Sequence, residues 1–349
     1  MSEKKASLIP GRPVSSPAED RLDRLIREAL PPDLQHLADG PMAAALGEAI
    51  AYAQNSVSPA TEKIYGDDWF AFQNWCREHG TPSLPAPPAV VAAYLAKRSG
   101  TLGRSGLRVA LAAIAFHHRR SGHLWSSADP VIAGVMHGIL RKQRKPVRPA
   151  AALTSEELRT LLAGCGDDLG GVRDRALLLT GFAGALRRSE LVGLDVADLR
   201  FGKDGVALRI RHSKRDQEGE GADVGIAFGQ HPGTCPVAAL WCWLERGRVR
   251  YGPVFRSVTA AGAVGPGLAA HSVWKILRRR AAGVGLAVHD TERLSPHGLR
   301  AGFITEAYLN GALDEQVAHH ARQSDLETTR GYRRRAKTVA ASPTKLVDL

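Results

Sequence analysis

The stretch RKQRKPVRPAA, residues 141–151, carries Arg141, Lys142, Arg144, Lys145 and Arg148 together with Pro146 and Pro149, and holds no acid. Proline lacks the N–H that a helix interior needs and pushes the preceding residue out of the helical region, so no helix runs through this point. The chain therefore reads as two bodies joined by a basic linker over residues 141–152. A length of 349 residues supports that division, since a domain commonly takes roughly 100–200.

Upstream of the break, residues 1–20 are polar and rich in Pro and Ser, the composition of a disordered tail, and residues 21–140 read as a helical domain. After SPAT, Tyr65, Trp69, Phe72 and Cys76 recur at helical spacing as a core stripe, and APPAVVAAYLAKR and GRSGLRVALAAIAFHHRRSG read as two further helices. Downstream, residues 153–349 open on LTSEELRTLL, where Thr154 and Glu157 form a capping-box pattern. A buried helix, RDRALLLTGFAGA, follows. Then the period changes to two: Val206, Leu208 and Ile210 alternate in GVALRIRHSK, and Val224, Ile226 and Phe228 alternate in ADVGIAF, which predicts a β-hairpin whose polar loop starts at Lys214. The remainder reads as helical apart from a Gly/Ala-rich loop near residues 257–269. The expected fold class is mainly α with a small antiparallel β-sheet, an α+β arrangement, in the second domain.

Charge narrows the partner. With 47 Lys+Arg against 35 Asp+Glu the formal net charge is +12, which favours a polyanion, nucleic acid ahead of an anionic membrane surface. The four cysteines, Cys76, Cys165, Cys235 and Cys242, form no CxxC pair and have no His at zinc spacing, so neither a disulfide frame nor a metal site is indicated and a reducing, cytoplasmic setting is expected. No apolar run reaches membrane-spanning length, and the N-terminus lacks the apolar region of a secretion signal.

The segment LSPHGLRAGFITEAY places His297 and Arg300 three residues apart after a Ser-Pro. With Ser295 as N-cap and Pro296 as the first helical residue, the pair shares one face at a helix N-terminus, where a phosphate fits. Arg187 lies in GALRRSEL, three residues before Glu190, a spacing that also suits an ordinary helix-surface ion pair.

Taken together, TGFAGALRRSELVGLDVADL resembles the first arginine box of the tyrosine recombinases, the family of phage integrases and Cre-type recombinases, and SPHGLRAGF resembles its His-x-x-Arg box. RHSKRDQEG is similar to the hairpin that brings the family's lysine, and SDLETTRGY to the segment ending in its nucleophilic tyrosine. Order and spacing agree across residues 150–340, and the helical domain upstream matches the family's core-binding module in kind. The resemblance implies that Arg187 and Arg300 clamp a scissile phosphate, Lys214 protonates the leaving 5′-oxygen, His297 exchanges a proton with the nucleophile, and Tyr332 attacks phosphorus to give a 3′-phosphotyrosine. Such a reaction needs charge neutralisation, a nucleophile and proton donors, with no metal or other cofactor. Tyr308 and Tyr251 sit among apolar residues as core tyrosines do, whereas Tyr332 lies between TTRG and RRRAK.

One position departs from the pattern. Nine residues before the nucleophile the family usually has His or Trp, and here stands Gln323, which donates a hydrogen bond but is no acid; His319 or His320 swinging in is the alternative. The resemblance further implies a two-domain clamp on double-stranded DNA, a homotetramer across two DNA sites, and accessory DNA-bending proteins, on the nucleoid if the cell is bacterial. Candidate DNA contacts are Arg104, Arg108, Arg119 and Arg120 on one helix, Arg141, Lys142, Arg144 and Lys145 in the linker, and Lys275, Arg278, Arg279 and Arg280 in WKILRRR. The expected function is site-specific recombination or integration; the alternatives are DNA relaxation of the type IB topoisomerase kind and a catalytically impaired DNA-binding relative.

Overall fold

A computed structural model describes residues 24, 30, 32–39, 42–54, 56–143, 148–211, 221–323 and 331. The expected tail (1–20), Arg144, Lys145, Lys214 and Tyr332 lie outside the described residues. The chain divides into two compact units, Met1–Lys145 and Pro146–Leu349.

The first unit is helical: α1 (Ala43–Gln54), α2 (Pro59–Glu78), α3 (Pro88–Arg98), α4 (Arg104–Arg120) and α5 (Pro130–Lys142). Ser58 starts α2, its hydroxyl accepting the Thr61 N–H at 3.3 Å with Pro59 in the first turn. The expected stripe faces inward: Trp69, Phe72 and Cys76 are buried and meet Val91, Tyr94 and Leu95 of α3, Leu107, Ala110 and Ile114 of α4, and Ile132 and Met136 of α5. Tyr65, at the edge of that stripe, is half-buried with its ring 5.4 Å from Phe116. His118 ties the bundle internally. Its Nδ1–H donates to the Ile114 carbonyl (2.8 Å) while Nε2 accepts the Ala86 N–H (2.9 Å), so the neutral ring serves as both donor and acceptor. Next to it His117 stacks on Trp69 at 4.6 Å. Burial foremost, then the Arg120 charge, brings the His117 pKa down to about 4.

The linker is shorter than the sequence suggests. Arg141 and Lys142 form the last turn of α5, because the first helix-breaking proline comes only at 146. At the other end, Ala150 bridges to Arg293 in parallel, and the Ala151 and Leu153 N–H groups donate to the Arg293 and Gly298 carbonyls, both at 3.0 Å. Part of the expected linker is therefore structure of the second unit.

That unit contains α6 (Ser155–Ala163), α7 (Leu169–Ala183), α8 (Arg188–Gly193), α9 (Pro236–Arg246), α10 (Ala270–Gly283), α11 (His297–Leu309) and α12 (Asp314–Ala321). The capping box is present: the Glu157 carboxylate accepts the Thr154 N–H at 2.8 Å. Glu306 of α11 adds to it by accepting the Ser155 N–H at 2.7 Å. α7 is buried almost all round and lies in the core, whose members include Leu177, Leu178, Leu208, Ile226, Trp243, Phe255 and Leu277. The expected hairpin is two strands of a three-stranded antiparallel sheet, β1 (Leu199–Gly202), β2 (Gly205–Ile210) and β3 (Ala222–Ala227), in that order. Val206, Leu208, Ile210, Val224 and Ile226 face the core, but Phe228 falls past the end of β3 and is exposed.

The Gly/Ala-rich segment expected as a loop instead contains two short antiparallel strands, β4 (Arg256–Val258) and β5 (Val264–Gly267). Its glycines gave no alternation to read, yet Val258 pairs with Val264. Among the described residues no helix is long and apolar enough to cross a membrane.

Candidate functional site

α7 ends at Ala183, and the chain then turns sharply through Gly184 and Ala185, a fully buried residue with φ of 45°. The turn aims the Ala185 carbonyl inward and delivers Arg187 to the start of α8. There the Glu190 carboxylate accepts the Arg187 N–H (2.9 Å) and the Arg187 Nη1 (2.5 Å). What the sequence offered as a surface ion pair is thus a clasp on a buried acid, since Glu190 is only 3% exposed. Burial alone would raise the Glu190 pKa; the charges of Arg322 and Arg187, with the Arg187 hydrogen bonds, outweigh it and hold the carboxyl below its usual range.

Arg300, on the second turn's approach in α11, is fully buried and donates Nη1 to the Ala185 carbonyl at 2.7 Å. Glycine lets α11 come that close. A Cβ at Gly302 would sit 1.7 Å from the Leu153 carbonyl oxygen and one at Gly298 2.4 Å from that of Ala151, so the 151–153 segment lies directly on the helix. The helix begins one residue later than its sequence reads: His297 is its first residue, exposed, and Pro296 precedes it with φ −56° and ψ −25°. Ser295 contributes its carbonyl to the Gly298 N–H (2.8 Å) and makes no side-chain cap, because the Ser-Pro turn has already closed.

α12 brings the third strand of the constellation. His320 donates Nε2–H to the Ala183 carbonyl (2.8 Å) and stacks on Phe303 at 4.7 Å, and burial pushes its pKa down. It is a packed, neutral ring, which disfavours the alternative in which it replaces the family's usual imidazole; His319 is exposed on the same helix. Arg322 follows with φ of 53°, and its Nη2 donates to Glu190 Oε2 at 2.9 Å. Gln323, half-buried, closes the helix by donating its N–H to the Ala318 carbonyl at 2.9 Å.

The structure therefore gathers Arg187 and Arg300 around the Glu190 carboxylate and the Ala185 carbonyl, with Gln323 adjacent in the chain to Arg322. Sequence reasoning missed Glu190 as a buried member and missed Arg322 altogether. An acid three residues past an arginine just before a helix carried a signal for the first, as the N3 half of a capping pair. No sequence signal marks the second, whose place depends on a left-handed backbone.

The candidate DNA contacts divide. Arg104, Arg108 and Arg119 are exposed, and their spacing along α4 puts them on one side of that helix. Arg120 is not a free surface cation: only 12% of its side chain is exposed, with Glu62 at 3.9 Å and its guanidinium over the Phe116 ring at 5.6 Å. Arg141, Lys142, Lys275 and Arg278 are exposed, Arg278 over the Trp274 ring at 4.7 Å. Arg279 donates to Asp174 (2.8 Å), and Arg280 is drawn inward to the same carboxylate and to the Gly164 carbonyl (2.8 Å). Among the described residues no three His, Cys, Asp or Glu side chains cluster as metal ligands.

The phage integrase family profile matches residues 151–338, more than half of the chain. The chain is 34% identical over 260 residues to an integrase/recombinase xerD homolog of Selenomonas ruminantium, covering 73% of this chain and 75% of that protein. It is 29% identical over 241 residues to tyrosine recombinase XerD of Mycobacterium tuberculosis, covering 67% and 71%. In fold it is similar to XerH site-specific recombinase bound to its difH substrate, with a TM-score of 0.57, 16% identity and coverage of 95% of this chain and 98% of that one. It also resembles the Tn1549 transposon integrase in complex with transposon right-end DNA, with a TM-score of 0.58, 14% identity and coverage of 84% and 96%. By sequence and by fold, the chain belongs to the phage integrase family of tyrosine recombinases.

Proposed function

We propose that this enzyme cuts and rejoins duplex DNA at specific sites by transesterification through Tyr332. The observation that carries the reading is that Arg187 and Arg300, from separate parts of the chain, are held by one buried acid and one buried carbonyl respectively, and that Arg322 bonds to both of those acceptors. A guanidinium stays charged at any working pH and meets phosphate oxygens through a planar fork, so two of them offset the charge that grows on a pentacoordinate phosphorus. Groups already fixed by the protein need no reorganisation as that charge develops.

In the step itself, the Tyr332 phenolic oxygen bonds to phosphorus as the bond from phosphorus to the 5′-oxygen breaks. The phenol proton passes to His297, and Lys214 gives a proton to the departing 5′-oxygen. The products are a 3′-phosphotyrosine and a free 5′-hydroxyl. Attack by a 5′-hydroxyl reverses the exchange, so rejoining needs no ATP. Gln323 supplies a neutral hydrogen bond to a non-bridging oxygen. Relatives named as recombinases and integrases favour paired specific sites over general relaxation of supercoils. By the same analogy the working assembly is a homotetramer on two DNA duplexes inside the cell, with Arg104, Arg108 and Arg119 among the contacts to the DNA.

Covalent capture tests the reading. The protein and its Tyr332→Phe variant are incubated, without metal, with nicked duplexes drawn from the DNA flanking the gene, and the products are run on denaturing gels. A protein–DNA adduct that the variant cannot form is expected. Specific binding without any adduct would overturn the catalytic assignment.

A further inference from the structure

Two of the non-glycine residues with positive φ, Ala185 (45°) and Arg322 (53°), meet at the centre of the arginine cluster. L-residues rarely take this backbone, and glycine takes it freely. A side chain as long as arginine held there must be offset by contacts that only this conformation makes, and the contacts are specific. The Arg322 Nη2 donates to the Ala185 carbonyl (3.0 Å) and to Glu190 Oε2 (2.9 Å), and Nη1 donates to the His320 carbonyl (2.7 Å). At the same residue, the main-chain carbonyl accepts Arg187 Nη2 at 3.0 Å.

Two of these partners, Glu190 and the Ala185 carbonyl, each lead to a catalytic arginine. Glu190 is the acid that holds Arg187, and the Ala185 carbonyl is the acceptor that holds Arg300. Only a left-handed residue turns its carbonyl toward Arg187 while its side chain doubles back under Glu190. The Arg322 side chain is itself only 8% exposed, too enclosed to meet DNA. We infer that Arg322 is a positioning residue, the hub that fixes the Arg187 and Arg300 guanidinium groups in register for the scissile phosphate. The inference rests on the reaction proposed above. It gives the Gln323 turn a second part in the site: where the family's usual imidazole is missing, the preceding residue braces both clamping arginines from behind.

Without the Arg322 side chain, Glu190 keeps one guanidinium in place of two and the Ala185 carbonyl that holds Arg300 loses its second donor, so each arginine samples more orientations while the outer surface is unchanged. Positioning of this kind acts on the rate at saturating DNA and leaves the affinity for DNA nearly untouched. The experiment measures three quantities for the parent, Arg322→Gly, Arg322→Gln and Arg322→Lys: the single-turnover rate of adduct formation at saturating nicked DNA, the Kd from mobility shift, and the melting temperature. Arg322→Gly relaxes the backbone but leaves the buried Glu190 with one guanidinium, so it is expected to melt below the parent while remaining folded, to bind DNA within about two-fold, and to form adduct at least about tenfold more slowly. Arg322→Lys is expected to be slow as well, because one ammonium does not reach two carbonyls and a carboxylate together.

A rate within two-fold of the parent in any folded variant among the three would overturn the inference. So would a rate loss accompanied by an equal loss of DNA affinity. If the parent forms no adduct, the proposed function fails and takes the inference with it; if the parent forms adduct and Arg322→Gly matches it, only the role of Arg322 is lost.

Discussion

Among the described residues of the second unit, two buried carboxylates, Asp174 and Glu190, each meet more than one arginine, and the two clusters differ in what surrounds the charge. Asp174 in α7 is fully buried and meets Arg173 (2.6 Å), Arg279 (2.8 Å) and Arg280 (2.6 Å), while Arg173 and Arg280 also donate to the carbonyls of Arg256 and Gly164. Those contacts tie α7 to α10 and to β4 in ordinary backbone conformations. Among the described residues Glu190 pairs with Arg187 and Arg322, and Arg322 is left-handed and bonds in turn to the carbonyl of left-handed Ala185, which also accepts from Arg300. A buried ion cluster is therefore not itself the mark of a site. Left-handed backbone among its members distinguishes the second cluster from the first.

Removing each acid in turn is the sharpest way to break that distinction. Glu190→Gln and Asp174→Asn each leave buried arginines without their acid, and each is expected to cost about 3–5 kcal/mol in chemical denaturation. Adduct formation by the folded protein at saturating DNA should collapse only in Glu190→Gln. An equal collapse in Asp174→Asn would erase the difference drawn here.

Gly302→Ala tests whether helix placement matters as much as charge. Since the added methyl overlaps the Leu153 carbonyl, α11 must shift, with an expected loss of about 1–3 kcal/mol and a slowed cleavage step through displaced Arg300. Unchanged melting would show that the segment at 151–153 gives way instead of the helix.

Gln323→His restores the donor usual in the family next to Arg322. A better hydrogen bond to a charged phosphate oxygen is worth about 1.5 kcal/mol at most here, so adduct formation should rise up to about tenfold. Slower cleavage than the parent would sink the view of glutamine as a weakened substitute.

The smallest effect lies in the first unit. His117 and His118 titrate near 6.5 when unfolded, and burial lowers both in the folded bundle, His117 to about 4. As pH falls from about 6.5 toward 4, the unfolded chain takes up protons that the folded bundle refuses, so stability falls over that window and levels off below it. Thermal melts of the full chain and of His117→Phe, at stepped pH, should show a weaker acid dependence in the variant.

How legible these features were follows from their range along the chain. The Thr154–Glu157 cap, the Trp69–Phe72–Cys76 stripe and the strands around Val206–Ile210 and Val224–Ile226 were readable because each is specified within about ten residues by spacing alone. The β4–β5 pair was not, since its segment is dominated by glycine and alanine, whose pattern is silent on strand pairing. The tethering of Arg120 and Arg280 was hidden because a basic residue's sequence context does not say whether its guanidinium lies over a ring or turns inward to a buried acid. Of the site, Arg187 and Arg300 were legible through their motifs. Arg322 was invisible, because its part depends on a backbone conformation and on contacts with residues some 130 positions away, such as Glu190 at a separation of 132.

The glycines of α11 carry a consequence for how this enzyme would respond to directed evolution. A library randomised along residues 297–309 and sorted only for folded protein would return glycine at 298 and 302, where backbone oxygen occupies the space of a Cβ, and varied residues at exposed Leu309. Two positions beside the candidate site residues His297 and Arg300 would thus appear invariant for reasons of packing alone, and reading their invariance as catalytic would misassign them.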